Sequence, residues 1–138
     1  MPRTFTEATE VGRKSAVRAL QAWQFLIAKA ASRQIIRYKD LRVMMGYADD
    51  RPLFPILGHV MQLCSQWEIP PLTVIVVNND GTPGSGFTEI PRNEFDAKRE
   101  DVFAYDWYGI VPPTVEEFAS AHAHAVRNAQ PGAAGDAR

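Results

Sequence analysis

Residues 69–87 read IPPLTVIVVNNDGTPGSGF. β-Branched residues dominate 73–77 and both faces of that run are apolar, so it reads as a strand covered on both sides. NNDG at 78–81 is a turn signal, because Asn, Asp and Gly tolerate positive φ. TPGSGF then reads as an irregular return, which completes a small antiparallel β-hairpin. Pro70 and Pro71 end the segment before it. The hairpin is expected to sit at the heart of the fold, between a long first helix and helices from the C-terminal part. Sites are then expected on the rim, at the turn over 78–87 and near 105–108.

The helices around it follow from spacing. Ala16, Leu20, Trp23, Ile27 and Ala30 recur at three and four residues and predict a helix from about 6 to about 32, capped by Thr4 or Thr6. Ile35 and Ile36 suit a short extended piece. Residues 38–45 give about two turns of helix, with Leu41, Met44 and Met45 inward and Gly46 as the stop. Asp49 or Asp50 is placed to cap a third helix, with Pro52 and Pro55 in its first turn. Leu53, Ile56, Leu57, Val60, Leu63, Cys64 and Trp67 form its apolar stripe. A charged helix is expected over 93–103. Thr114 caps the last helix, with Glu117 three residues on as a capping box. Val115, Phe118, Ala119 and Ala125 are its expected inner face. The glycine-rich end from 130 to 138 reads as disordered, leaving one domain over 1–129.

The chain has 138 residues, 46% hydrophobic, which suits one domain with a real core. Fifteen basic residues against 16 acidic give a net charge near −1, so nucleic-acid binding needs a local basic patch. The single cysteine, Cys64, excludes an internal disulfide and suits a reducing compartment. No signal peptide is read at the N-terminus, and no apolar run approaches the roughly 20 residues that span a bilayer. The expectation is a soluble cytoplasmic protein with no membrane partner.

Helix, short loop, helix, strand, tight turn and return is the order of a winged helix. RYKDLRVMMGY, PILGHVMQL and IPPLTVIVVNNDGTPGSGF together resemble the DNA-binding domain of the O6-alkylguanine-DNA alkyltransferases and alkyltransferase-like proteins. Tyr38, Leu41, Gly46, Gly58, Pro70, Val76, Val77, Asp80, Gly81, Gly86 and Phe87 fall in register with that family, over about 35–87. The resemblance implies an α+β fold: a winged-helix-like core over about 33–90, a long N-terminal helix and C-terminal helices. It implies no alkyl transfer. The accepting cysteine would fall at 71–73, where no thiol stands, and the arginine that pushes a base from the duplex would fall near Pro55. The segments PPL, VVN and PGSGF with VFAYDW also look like small bacterial proteins of no assigned chemistry, which implies no mechanism.

Candidate sites follow. Arg37, Lys39, Arg42 and Arg51 cluster where a winged helix would meet phosphates, and His59 and Gln62 are base-reading candidates on the third helix. Asp106, between Tyr105 and the pair Trp107 and Tyr108, suits an aromatic ligand or partner pocket. Cys64 lies on the core face and reads as a small buried hydrophobe. His122 and His124 are two apart on a helix and point away from each other, so no metal site is expected, nor any cofactor. TPGSGF lacks the spacing of a phosphate-binding loop. Three functions remain open: a non-enzymatic winged-helix-like DNA-binding or regulatory protein; a protein-interaction module or homo-oligomer, such as a partner in a bacterial defence or toxin-like system; and a small enzyme of unknown reaction. The interaction reading expects an apolar patch at Tyr47, Phe54, Trp107 and Tyr108.

Overall fold

The computed structural model describes residues 13–81 and 94–129. Helix α1, Arg13–Ala31, turns Ala16, Ala19, Ala22, Trp23, Leu26, Ile27 and Ala30 inward. Four of these seven are alanines, so neighbouring helices approach closely along that face. Its end is a left-handed turn at Arg33, φ 57°, where the amide of Gln34 donates to the Lys29 carbonyl at 2.9 Å. The expected start of this helix near residue 6, with its threonine caps, lies outside the described residues.

Strand β1, Ile36–Arg37, runs straight into α2, Tyr38–Met44. Gly46 stops α2 with φ 86°, and the Tyr47 amide donates back to the Arg42 carbonyl at 2.8 Å. Leu41 and Met45 point inward as expected; Met44 does not, and is 51% exposed. Helix α3, Leu53–Gln66, buries Leu53, Ile56, Leu57, Val60, Leu63 and Cys64. No side chain caps it. The Asp49 carboxylate instead accepts from the Arg51 amide at 2.9 Å, closing the loop before the helix. Helix α4, Phe95–Ala104, and helix α5, Val115–Ala129, complete the chain. The capping box at α5 is formed reciprocally: the Thr114 amide donates to Glu117 Oε1 at 3.0 Å, and the Glu117 amide donates to Thr114 Oγ1 at 3.1 Å. Helices α1, α3 and α5 pack on one another around the core.

The winged-helix expectation is overturned here. Five α-helices dominate the described residues, and the one sheet has two strands of two residues each. Strand β2, Val76–Val77, pairs with β1, and it does so in parallel, Ile36 opposite Val76 and Arg37 opposite Val77. A parallel pair needs a crossover and not a tight turn; α2 and α3 supply it. The expected return strand falls at 82–93, outside the described residues. Within the expected strand, Leu72–Ile75 forms a 3-10 turn, and the Val74 amide donates to the Pro71 carbonyl at 3.0 Å. All of 72–77 is buried. An extended run there, without a strand on each side, would leave buried amides unpaired, so the backbone satisfies itself locally first. Each of its fully buried Val, Ile and Leu side chains contributes about 1.5–3 kcal/mol.

Candidate functional site

Helix α2 separates two recesses. The first, a polar cleft of about 490 Å³, opens beyond the carboxyl ends of the paired strands. Tyr38, Lys39 and Arg42 line it after β1, Asn78, Asn79 and Asp80 after β2, and Asp50 closes it. The turn over 78–81 is closed by its backbone: the Gly81 amide donates to the Asn78 carbonyl at 2.9 Å, with Gly81 at φ 84°. Arg42 is fixed twice. Its Nε lies 3.0 Å from Asp50 Oδ1, and its Nη1 donates to the Ala48 carbonyl at 2.9 Å. Burial, with the Asp50 carboxylate adding to it, raises the pKa of the Tyr38 phenol above its ordinary value, so it stays a protonated donor.

The second recess is an apolar groove of about 470 Å³ between α1 and α2, floored by β1. Phe25, Ile35, Ile36 and Met44 supply its apolar surface; Lys29, Arg37 and Asp40 supply its charge. Ile35 is 41% exposed here. The Lys29 ammonium lies 5.4 Å from the Phe25 ring centroid and reaches Gln34 Oε1 at 3.4 Å.

The residues expected to form a DNA surface are scattered. Arg37 is exposed on the groove, while Lys39 and Arg42 face the cleft. Arg51 is exposed and engaged by Asp49, Nε to Oδ1 and Nη2 to Oδ2, both at 3.0 Å. Those hydrogen bonds pull the Asp49 carboxyl down to about 2. His59 is 2% exposed and Gln62 half-buried, because α3 is covered by α1 and α5. Buried there, His59 does not present its ring on the surface of α3, where a base-reading residue would stand. His59 Nδ1 donates to the Pro55 carbonyl at 2.7 Å, and His122 Nδ1 donates to Gln62 Oε1 at 2.7 Å.

The aromatic pocket around Asp106 is also corrected. Trp107 turns into the core and is 2% exposed, with Tyr105 packed edge-on against it at 4.6 Å. Tyr108 points outward, 65% exposed, and Asp106 is exposed at the start of a 3-10 turn, Trp107–Gly109. Of the expected apolar patch, Phe54 and Tyr108 are exposed, Tyr47 is half-buried and Trp107 is buried. The residues at 71–73, where the alkyltransferase resemblance places the acceptor, end in buried Leu72 and Thr73. No group of three or more His, Cys, Asp or Glu among the described residues is placed to hold a metal. No helix among the described residues is long and apolar enough to cross a membrane.

Spacing gave little sign of Phe25, Ile35 and Met44 as a surface. The spacing in fact places Met44 inward, where the structure leaves it 51% exposed. Comparison with protein-family profiles, curated proteins and solved structures finds no match to the chain.

Proposed function

We propose that the chain is a non-enzymatic interaction module that seats a protein partner in the groove between α1 and α2. The observation that carries this reading is the groove's apolar floor. Ile35 and Met44 are exposed beside half-buried Phe25, buried Ile36 lies beneath them, and Val43 of α2 is 61% exposed. Methionine adapts its shape to different partners, and open apolar surface with a charged rim is the usual ground for docking. The enzyme reading draws no comparable support. Burial pushes the Cys64 thiol up to about 12, and His59 is committed to Pro55 and His122. A cytoplasmic setting belongs to this proposal, with Cys64 reduced and buried.

A display selection of random peptides tests the reading, run in parallel on the full chain and on Met44→Asp. The expected result is enrichment on the native protein of peptides that the variant does not hold. Equal enrichment on both, or none, counts against it. Sedimentation of both proteins over rising concentration covers self-association. A dimer lost in Met44→Asp would mean that the groove's occupant is a second copy.

A second reading has one specific support: Lys39 and Arg42 share the polar cleft with Asn78 and Asn79, which suits phosphate contact, although Asp50 and Asp80 line the same cleft and Asp50 pairs with Arg42. Binding of a fluorescent duplex that weakens with salt and with Lys39→Ala favours it; no binding at low salt rules it out.

A further inference from the structure

We propose that the partner enters the groove as an extended segment added to the edge of β1 that faces away from β2, unpaired among the described residues, with an apolar side chain in the pocket and an acidic residue beside Arg37. This rests on the interaction reading above and says what kind of chain the groove takes.

Strand β1 is hydrogen-bonded to β2, and among the described residues the sheet ends there. In a parallel pair, alternate residues turn their N–H and C=O to opposite edges. Beside Ile36, whose backbone meets β2, the backbone of Ile35 and the amide of Arg37 therefore face away from β2; the Arg37 carbonyl, at the N-cap of α2, serves the helix. The same three residues line the groove. An unpaired strand edge is a template for another chain. Strand addition needs that edge for main-chain hydrogen bonds and a pocket at alternate positions for side chains. Phe25 and Met44 supply the pocket on either side of β1.

Charge selects the partner. The groove carries two cations, Lys29 and Arg37, against one carboxylate, Asp40, on a chain whose net charge is −1. Lys29 is held by Gln34 and the Phe25 ring. Arg37 is exposed and makes no ion pair among the described residues. A cation on an edge strand repels another basic strand and attracts an acidic one.

The test uses the full chain and fluorescent octapeptides of alternating leucine and aspartate. One twin has lysine for aspartate; another is N-methylated on alternate backbone amides. The aspartate peptide is expected to bind and to slow amide exchange at 35–37. The lysine and N-methylated twins are expected to bind about tenfold more weakly or worse. Arg37→Glu, checked for folding by circular dichroism, is expected to reverse the preference between aspartate and lysine peptides. Equal binding of the N-methylated twin overturns strand addition while leaving the groove as a docking site. No binding of any octapeptide, with the display selection positive, also overturns it. Failure of the display selection as well overturns the interaction reading itself.

Discussion

The imidazole rings of His59 and His122 lie face to face, with centroids 4.0 Å apart and an interplanar angle of 18°. They join α3 to α5, and each ring is oriented by a 2.7 Å hydrogen bond from Nδ1. Both donations require a proton on Nδ1, so a neutral ring at either position carries none on Nε2. Burial lowers the His59 pKa below its ordinary 6.5; the bond to Pro55 opposes this and His122 reinforces it.

A depressed histidine pKa fixes the sign of a pH effect. Below about 6.5 the unfolded chain takes up a proton at residue 59 that the folded chain resists. Stability from this site is therefore complete above about pH 6.5 and is lost as pH falls from there towards the folded pKa. Urea midpoints at pH 7.5 and pH 5.0 measure it, in the native protein and in His59→Phe, which keeps a ring but cannot ionise. The native protein is expected to lose more stability on acidification than the variant. Equal losses would place the acid sensitivity elsewhere.

Adjacent residues at 106 and 107 are expected to behave oppositely. Trp107 packs edge-on against Trp23 at 5.5 Å, and its Nε1 donates to the Val102 carbonyl at 2.7 Å. Trp23 in turn meets Phe118 of α5 at 6.0 Å, so Trp107 completes an aromatic chain through the core. Trp107→Ala is expected to cost about 3–5 kcal/mol. Asp106→Asn, at an exposed position, is expected to stay within about 0.5 kcal/mol. Denaturant curves of the two variants decide. A large loss in Asp106→Asn would return a structural role to that carboxylate.

The helices were legible because their information is local. Thr114 and Glu117 announce the start of α5 three residues apart, and Gly46 marks the end of α2 at the one position that needs positive φ. The run at 73–77 is strand only at Val76 and Val77, because β-branched composition reports burial as well as extension. Thr73, Val74 and Ile75 are buried as a strand would be, yet fold as a 3-10 turn after Pro71. Which strand Val76 would meet is not written near it: the partner, Ile36, lies forty positions away across two helices. The basic cluster was visible, but not its partial neutralisation by Asp49 and Asp50. The meeting of His59 with His122 had no sequence signal, since it depends on how α5 returns across α3.

Cys64 is expected to be chemically silent in the folded protein. It is 1% exposed, and burial pushes its thiol up to about 12, despite a hydrogen bond from the Leu72 backbone that works the other way. The thiolate is the reactive form. At pH 8 the native protein should react with a disulfide reagent about a thousandfold more slowly than the unfolded chain, whose thiol titrates near 8.5. Timed absorbance with and without urea measures this. Fast labelling of the native protein would mean that α3 and the 3-10 turn at Leu72–Ile75 separate readily.

Thr73 carries the last prediction. It is 3% exposed, and its hydroxyl has no hydrogen-bond partner among the described residues. Leu72, Val74 and Ile75 around it in the chain are wholly buried. A buried hydroxyl without a partner keeps its desolvation cost, on the order of 1–3 kcal/mol. Valine has the same branched shape without that oxygen. Thr73→Val is therefore expected to stabilise the fold by about 1 kcal/mol, which raises Tm by a few degrees. Thr73→Ser retains the hydroxyl and deletes a packed methyl, so it is expected to destabilise by about 1 kcal/mol. Thermal melts of both separate polarity from volume at one site. A destabilised Thr73→Val would show that the hydroxyl is hydrogen-bonded in solution.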